Sequence, residues 1–213
     1  MSSPSRARLS QERSRQRREQ LLESAIELFT EGGARAVTHR AVAKRSGLPP
    51  ATTTYYFASV DELLGAALAR HLETWIADMK AMAEVPLLEP MHIDEGRELV
   101  TFAFALRTPE MVRTHLAVFL AASGDPELKP LATEAVSTLE TLAGTLLASV
   151  GIEDAAGLAT ALVQLVLGSA AMRLTGPQDD EEIADALFDA VRRLVATWGM
   201  SPDAVTAALP PAP

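Results

Sequence analysis

The sequence predicts an all-α protein of about nine helices, and three observations predict it. Apolar residues recur at helical spacing, as with Leu22, Ala25, Ile26 and Phe29 at i, i+3, i+4 and i+7. Of the 213 residues 48% are hydrophobic but only 5% aromatic, so alanine and leucine, both good helix formers, supply most of the apolar content. The alternating apolar and polar runs that a half-buried strand needs do not occur.

Residues 1–14 are polar and rich in Ser and Arg, and read as a flexible basic tail. The first helix is expected from about Arg15 to the Gly32-Gly33 stop. Thr38 suits the N-cap of a short helix, His39 to Ser46, with Gly47 in the left-handed position after it and Leu48 beneath the turn. Pro49-Pro50 opens a third helix carrying Ala51 to Tyr56, since proline loses no needed N–H at a first helical position. Ser59 caps the fourth, with Asp61 and Glu62 in its first turn and a stripe of Leu64, Leu68, Leu72, Trp75, Ile76 and Met79.

Pro86 and Pro90 break the pattern, which resumes near residues 94–107, 109–123, 126–149, 154–174 and 180–199. Asp179 to Glu182 sits at the positive end of the last long helix, a structural use of carboxylates in preference to metal binding. The resulting organisation is a tail (1–14), a head (15–60), a helical body (61–200) and a short C-terminal tail (201–213).

Charge separates head from body. Residues 1–60 hold 10 Lys+Arg against 5 Asp+Glu, whereas residues 61–213 hold 9 against 23. A basic head on an acidic body suits a polyanionic partner met at one end. The absence of cysteine fits a reducing cytoplasm, and Met1 to Arg6 has no apolar signal-peptide core. The uncharged run between Asp154 and Arg173 is rich in Ala, Gly, Ser and Thr around Gln164, and reads as a packed bundle helix rather than a membrane span.

Residues 38–57 carry the most specific chemistry. Ala43 and Gly47 stand four apart with Leu48 directly after, which supplies the small crossing residue, turn glycine and apolar plug of a helix-turn-helix. Thr52 to Tyr56 forms the short polar helix that such a motif presents to base edges and phosphates.

At these residues the chain resembles the TetR (tetracycline-repressor-like) family of transcription regulators. The likeness covers residues 15–65 through Gly32-Gly33, Thr38, Val42-Ala43, Ser46-Gly47-Leu48, Tyr55-Tyr56-Phe57, Ser59 and Glu62-Leu63. The resemblance implies a three-helix DNA-binding head and a C-terminal helical domain that dimerises and binds a small effector. The family commonly has an aromatic where this chain has Thr54, a lysine where it has Val60, and an aliphatic residue where it has Thr53.

Thr38, Thr52 and Tyr56 are the candidate phosphate contacts, and Thr53, Thr54 and Tyr55 the candidate base-facing residues. Arg40, Lys44 and Arg45 are expected to add field strength and backbone contact, and the arginines from Arg6 to Arg18 a flexible arm along a groove. Phe57 is assigned to the core. Small residues on the helix expected at 154–174, Gly157, Ala161 and Gly168, allow close approach between helices. With Leu162, Leu165, Ile183, Leu187, Val191, Leu194 and Trp198 they are the candidate homodimer interface, which would pair two heads on a palindromic operator. Candidate effector contacts are Trp75, Met79, Phe102, Arg107, Met111, His115, Phe119 and Gln164, an apolar set with few polar anchors.

No metal or other cofactor is expected, because His39, His71, His92 and His115 have no ligand spacing. Catalytic signatures are equally lacking: there is no Gly-x-Ser-x-Gly elbow, phosphate-binding glycine loop or cysteine nucleophile. The TetR resemblance implies a cytoplasmic repressor released by a small, largely apolar effector. Its rivals are a regulator that answers to a protein partner alone, and an all-α enzyme or lipid-binding protein.

Overall fold

The computed structural model describes residues 6–84, 108–149, 151–152, 155–175 and 179–201, with 203, 204 and 207. Among the described residues there are eight α-helices, one short 3-10 turn at Ala34–Ala36, and no strand. The helices are α1 (Arg6–Gly32), α2 (His39–Ser46), α3 (Pro50–Tyr56), α4 (Val60–Ala83), α5 (Pro109–Ser123), α6 (Lys129–Ser149), α7 (Ala156–Thr175) and α8 (Asp180–Thr197). The helix expected at 94–107 lies outside the described residues.

One boundary is corrected. Helix α1 begins at Arg6, nine residues before the expected Arg15, so residues 6–14 are helix and not a flexible tail. Local pairing supports this polar stretch: Arg15 donates to Glu12 at 2.9 Å and Gln16 to the same carboxylate at 3.4 Å. Phe29 O accepts the Gly33 N–H at 2.8 Å, and Gly33 turns out of α1 with φ +68°.

The chain divides into two compact units, Met1–Ala77 with Arg113–Ala135, and Asp78–Val112 with Val136–Pro213. The core of the first unit gathers Leu21, Leu22, Ala25 and Ile26 of α1 with Val42, Phe57, Leu63, Leu72 and Val118. The inward residues of α1 follow the predicted period, and the first half of α4 closes the same core. Its cap is formed as expected: Ser59 Oγ accepts the Glu62 N–H at 3.0 Å, while Glu62 reaches back to the Ala58 N–H at 2.7 Å.

In the second unit α7 and α8 pack together. Asp179 caps α8 by accepting the Glu182 N–H at 2.8 Å, which places Asp180, Glu181 and Glu182 in its first turn. Arg173, near the end of α7, forms an ion pair with Asp180 and holds that carboxyl below its usual pKa. Helix α7 is long and apolar enough to cross a membrane by length and composition, and only Leu158, Ala159 and Val163 of it are buried within the chain.

Candidate nucleic-acid interface

The site starts with the way α2 is begun and ended. Thr38 is extended, and its Oγ1 accepts the Ala41 N–H at 3.1 Å, satisfying a donor that the helix start leaves open. At the other end Gly47 takes φ +68°, and the Leu48 N–H returns to Ala43 O at 3.1 Å. A side chain at Gly47 would strain this left-handed turn. Val42 and Ala43 of α2 are buried, and α3 packs against α2.

Helix α3 then opens on Pro50 and ends after two turns at Phe57. Its faces are sharply different. Tyr55 is 79% exposed and Thr54 is exposed beside it, whereas Thr53 and Phe57 are 0% and 2% exposed. The expectation that Thr53 faces bases is corrected: its hydroxyl donates to Pro50 O at 2.9 Å and its side chain is sealed in the core. Burial suits this residue only because the hydroxyl has an acceptor one turn back. Thr52 is half-buried.

Tyr56 is half-buried and its hydroxyl lies 2.8 Å from Ser14 Oγ of α1. Its ring meets that of Tyr55 edge-on, with centroids 5.0 Å apart. The Arg18 guanidinium sits over Phe57 at 5.3 Å from the ring centroid. Ser14 and Arg18 thus tie α1 to the end of α3, a linkage the sequence reading missed.

The basic residues of α2 take different roles. Arg40 and Lys44 are exposed. Arg45, also exposed, spans Glu31, at 2.7 and 2.9 Å, and Glu27, at 3.1 Å, so that its guanidinium fastens α2 to α1. Glu31 is held below the usual carboxylate range by this bond. Two glutamates four apart on one helix face are the sequence signal that could have shown the seat.

The candidate effector residues are divided between the two units. In the first unit, the His115 ring stacks on Trp75 with centroids 5.0 Å apart, and its Nδ1 lies 2.8 Å from His71 Nε2. The indole N–H of Trp75 is buried and meets no acceptor among the described residues. Burial pushes the His71 pKa down. Phe119 packs on the core of the same unit. In the second unit Met79 is buried, while Met111 and Gln164 are exposed. Phe102 and Arg107 lie outside the described residues.

The candidate dimer residues divide similarly. Ile183 and Leu187 are buried within the chain, so their assignment to an interface is corrected: they are inward positions of α8. Leu162 and Leu194 pack on a small cluster with Leu147 and Leu158. Gly157 lies under the Trp198 ring, where an added Cβ would come within 2.9 Å of the indole. An open groove of about 670 Å³ remains between α7 and α8, with Ala161, Leu165, Gly168 and Met172 among its lining residues. Val191 is half-buried.

Two family models match this arrangement. The one for bacterial regulatory proteins of the tetR family covers residues 21–67, the whole of α2 and α3 included. The tetracyclin repressor-like C-terminal domain covers residues 93–197. The chain belongs to the TetR family.

This TetR-family chain is accordingly an all-α transcriptional regulator with a helix-turn-helix head. No sequence among curated proteins matches it. Similar solved structures include a TetR-like transcriptional regulator from Rhodococcus sp. RHA1, at 21% identity and a TM-score of 0.60, covering 84% of this chain and 96% of that one. A TetR-family member from Streptomyces coelicolor A3 shares 26% identity at a TM-score of 0.55, covering 81% of this chain and 96% of the other. The multidrug binding protein EbrR, solved with imidazole, shares 26% identity at a TM-score of 0.55, with 81% and 93% covered. EbrR has also been solved with malachite green.

Proposed function

We propose that this TetR-family protein is a repressor that binds a palindromic operator as a homodimer and is released by a small, largely apolar effector. The observation that carries the reading is the division of α3, with Thr53 and Phe57 locked inward and Thr54 and Tyr55 left outward. A helix held this firmly by its inner face offers its outer face to a major groove in one register. Thr54 and Tyr55 contact bases, while Thr38, Thr52, Arg40 and Lys44 serve phosphates.

The dimer joins through α7 and α8. An apolar helix with few of its residues covered by its own chain is best satisfied by a second copy. Gly157, Ala161, Leu162, Leu165, Gly168, Val191, Leu194 and Trp198 remain its candidates. Two-fold pairing sets two copies of α3 about 34 Å apart, one turn of DNA.

Release requires that the effector bind the non-operator state better than the operator-bound one. The stacked Trp75 and His115 supply a flat aromatic surface whose indole N–H meets no acceptor among the described residues, which suits a small aromatic molecule. The small-molecule complexes of EbrR support this class of ligand.

Replacing Thr52 and Tyr55 by alanine tests the reading. The expected result is loss of operator binding with helical content and dimer mass unchanged. Retained operator affinity in this double variant would overturn the assignment of α3.

A further inference from the structure

Helix α1 starts at Arg6, although its core-forming stretch begins only at Leu21. The 15 residues from Arg6 to Gln20 extend about 22 Å at helical rise. This extension is pinned to the helix-turn-helix by the Ser14–Tyr56 hydroxyl contact of 2.8 Å and by Arg18 over Phe57.

Charge is sorted around it. At 100° per residue, Arg13 and Arg17 fall in the same sector of α1 as Glu27 and Glu31, which hold Arg45 of α2. That sector therefore runs along the α2 side of the head. Glu12, Glu19 and Glu23 fall together in another sector, about 100° away, where Glu12 pairs with Arg15 and Glu19 with Arg70 of α4. Arg13 and Arg17 are exposed and form no ion pair with any described carboxylate.

We propose that the N-terminal half of α1 is a rigid rail for DNA, with Arg13 and Arg17 binding phosphates of the duplex next to the segment read by α3. The inference rests on the operator-binding reading and adds a second contact surface to it. A helix presents these two guanidinium groups one turn apart at fixed distance from Tyr55, whereas a flexible arm would have to be ordered on binding. Polyanion is the partner that the charge fits, and the rail is continuous with the recognition helix through Tyr56.

The test uses the full-length chain and an operator duplex selected with it from random DNA, binding being followed by anisotropy over a salt series. Arg13→Ala with Arg17→Ala should lower the slope of log K against log salt by about 0.9 per lost phosphate contact, hence about 1.8 per chain. Arg8→Ala with Arg15→Ala removes the same charge elsewhere on α1 and should change the slope by less than half as much. Gln16→Pro breaks the helix while keeping every arginine, and should weaken binding as the Arg13/Arg17 pair does. Equal slopes for the two arginine pairs, or full affinity in Gln16→Pro, would overturn the rail and leave operator reading intact. Failure of the unaltered chain to select any sequence would overturn both. Circular dichroism and the melting midpoint of each variant separate these effects from unfolding.

Discussion

The hydroxyls of Ser14 and Tyr56 lie 2.8 Å apart, joining a residue in the polar lead of α1 to the last residue of α3 across 42 positions of sequence. Loss of either hydroxyl should cost about 1 kcal/mol of stability, the usual worth of one such bond. In a double-mutant cycle, Ser14→Ala and Tyr56→Phe together should cost little more than either alone. Urea unfolding of the three variants measures this directly, and additive losses would mean that the contact carries no coupling.

Thr53 and Tyr55 should separate stability from recognition. Thr53→Val keeps the buried shape but removes the hydroxyl that donates to Pro50 O, so it should lower stability by about 1 kcal/mol and leave operator affinity per folded protein unchanged. Tyr55→Ala should leave the melting midpoint in place and weaken operator binding by about tenfold or more, some 1.4 kcal/mol. Paired melting and binding curves on the two variants check the assignment.

Gly47 sits at φ +68° between α2 and α3. Gly47→Ala should destabilise the head by about 1 kcal/mol, because a Cβ is strained in the left-handed region. No neighbouring atom lies within 4 Å of that Cβ, so the cost is conformational and Gly47→Asn should recover part of it. Thermal melts of the two variants decide whether backbone strain is the cause.

Burial of His71 against α5 holds its pKa below the ordinary histidine value. The unfolded chain therefore binds the proton more readily than the folded one. Its contribution to stability is complete above the unfolded pKa of about 6.5 and is lost as pH falls through the lower folded value. The rings of His71 and His115 share one hydrogen bond, with the His115 ring stacked on Trp75, and two charged imidazoles could not keep that bond. Melting midpoints should fall between pH 7 and pH 5 in the unaltered chain, and fall less in His71→Gln. Equal pH dependence in both would place the titration elsewhere.

Much of the head was legible because its signals are local. Thr38, Gly47 and Ser59 each cap or close a helix through partners within five residues, so their roles follow from identity and spacing. The inward period of α1 and α4 was equally plain. What escaped depends on distant partners. The polar stretch of α1 has few apolar residues to mark it as helix, and its contacts to Tyr56 and Phe57 are invisible in a linear reading. Thr53 looked like a polar face residue, although the aliphatic preference of the family at that position pointed inward. Ile183 and Leu187 read as interface residues in the sequence but are buried within the chain, because periodicity distinguishes an apolar face without saying whose atoms cover it.

On the proposed function, the outer face of α3 reads a particular DNA sequence. The most direct measurement of this is anisotropy of the chain on the intergenic DNA beside its own gene, against scrambled DNA of equal length and over a salt series. Binding at one palindrome should be tight and exceed that of the scrambled duplex by about a thousandfold or more, with this preference kept as both affinities fall with rising salt. Weak binding of both duplexes with the same salt slope would contradict it, and would leave the basic head an unspecific polycation.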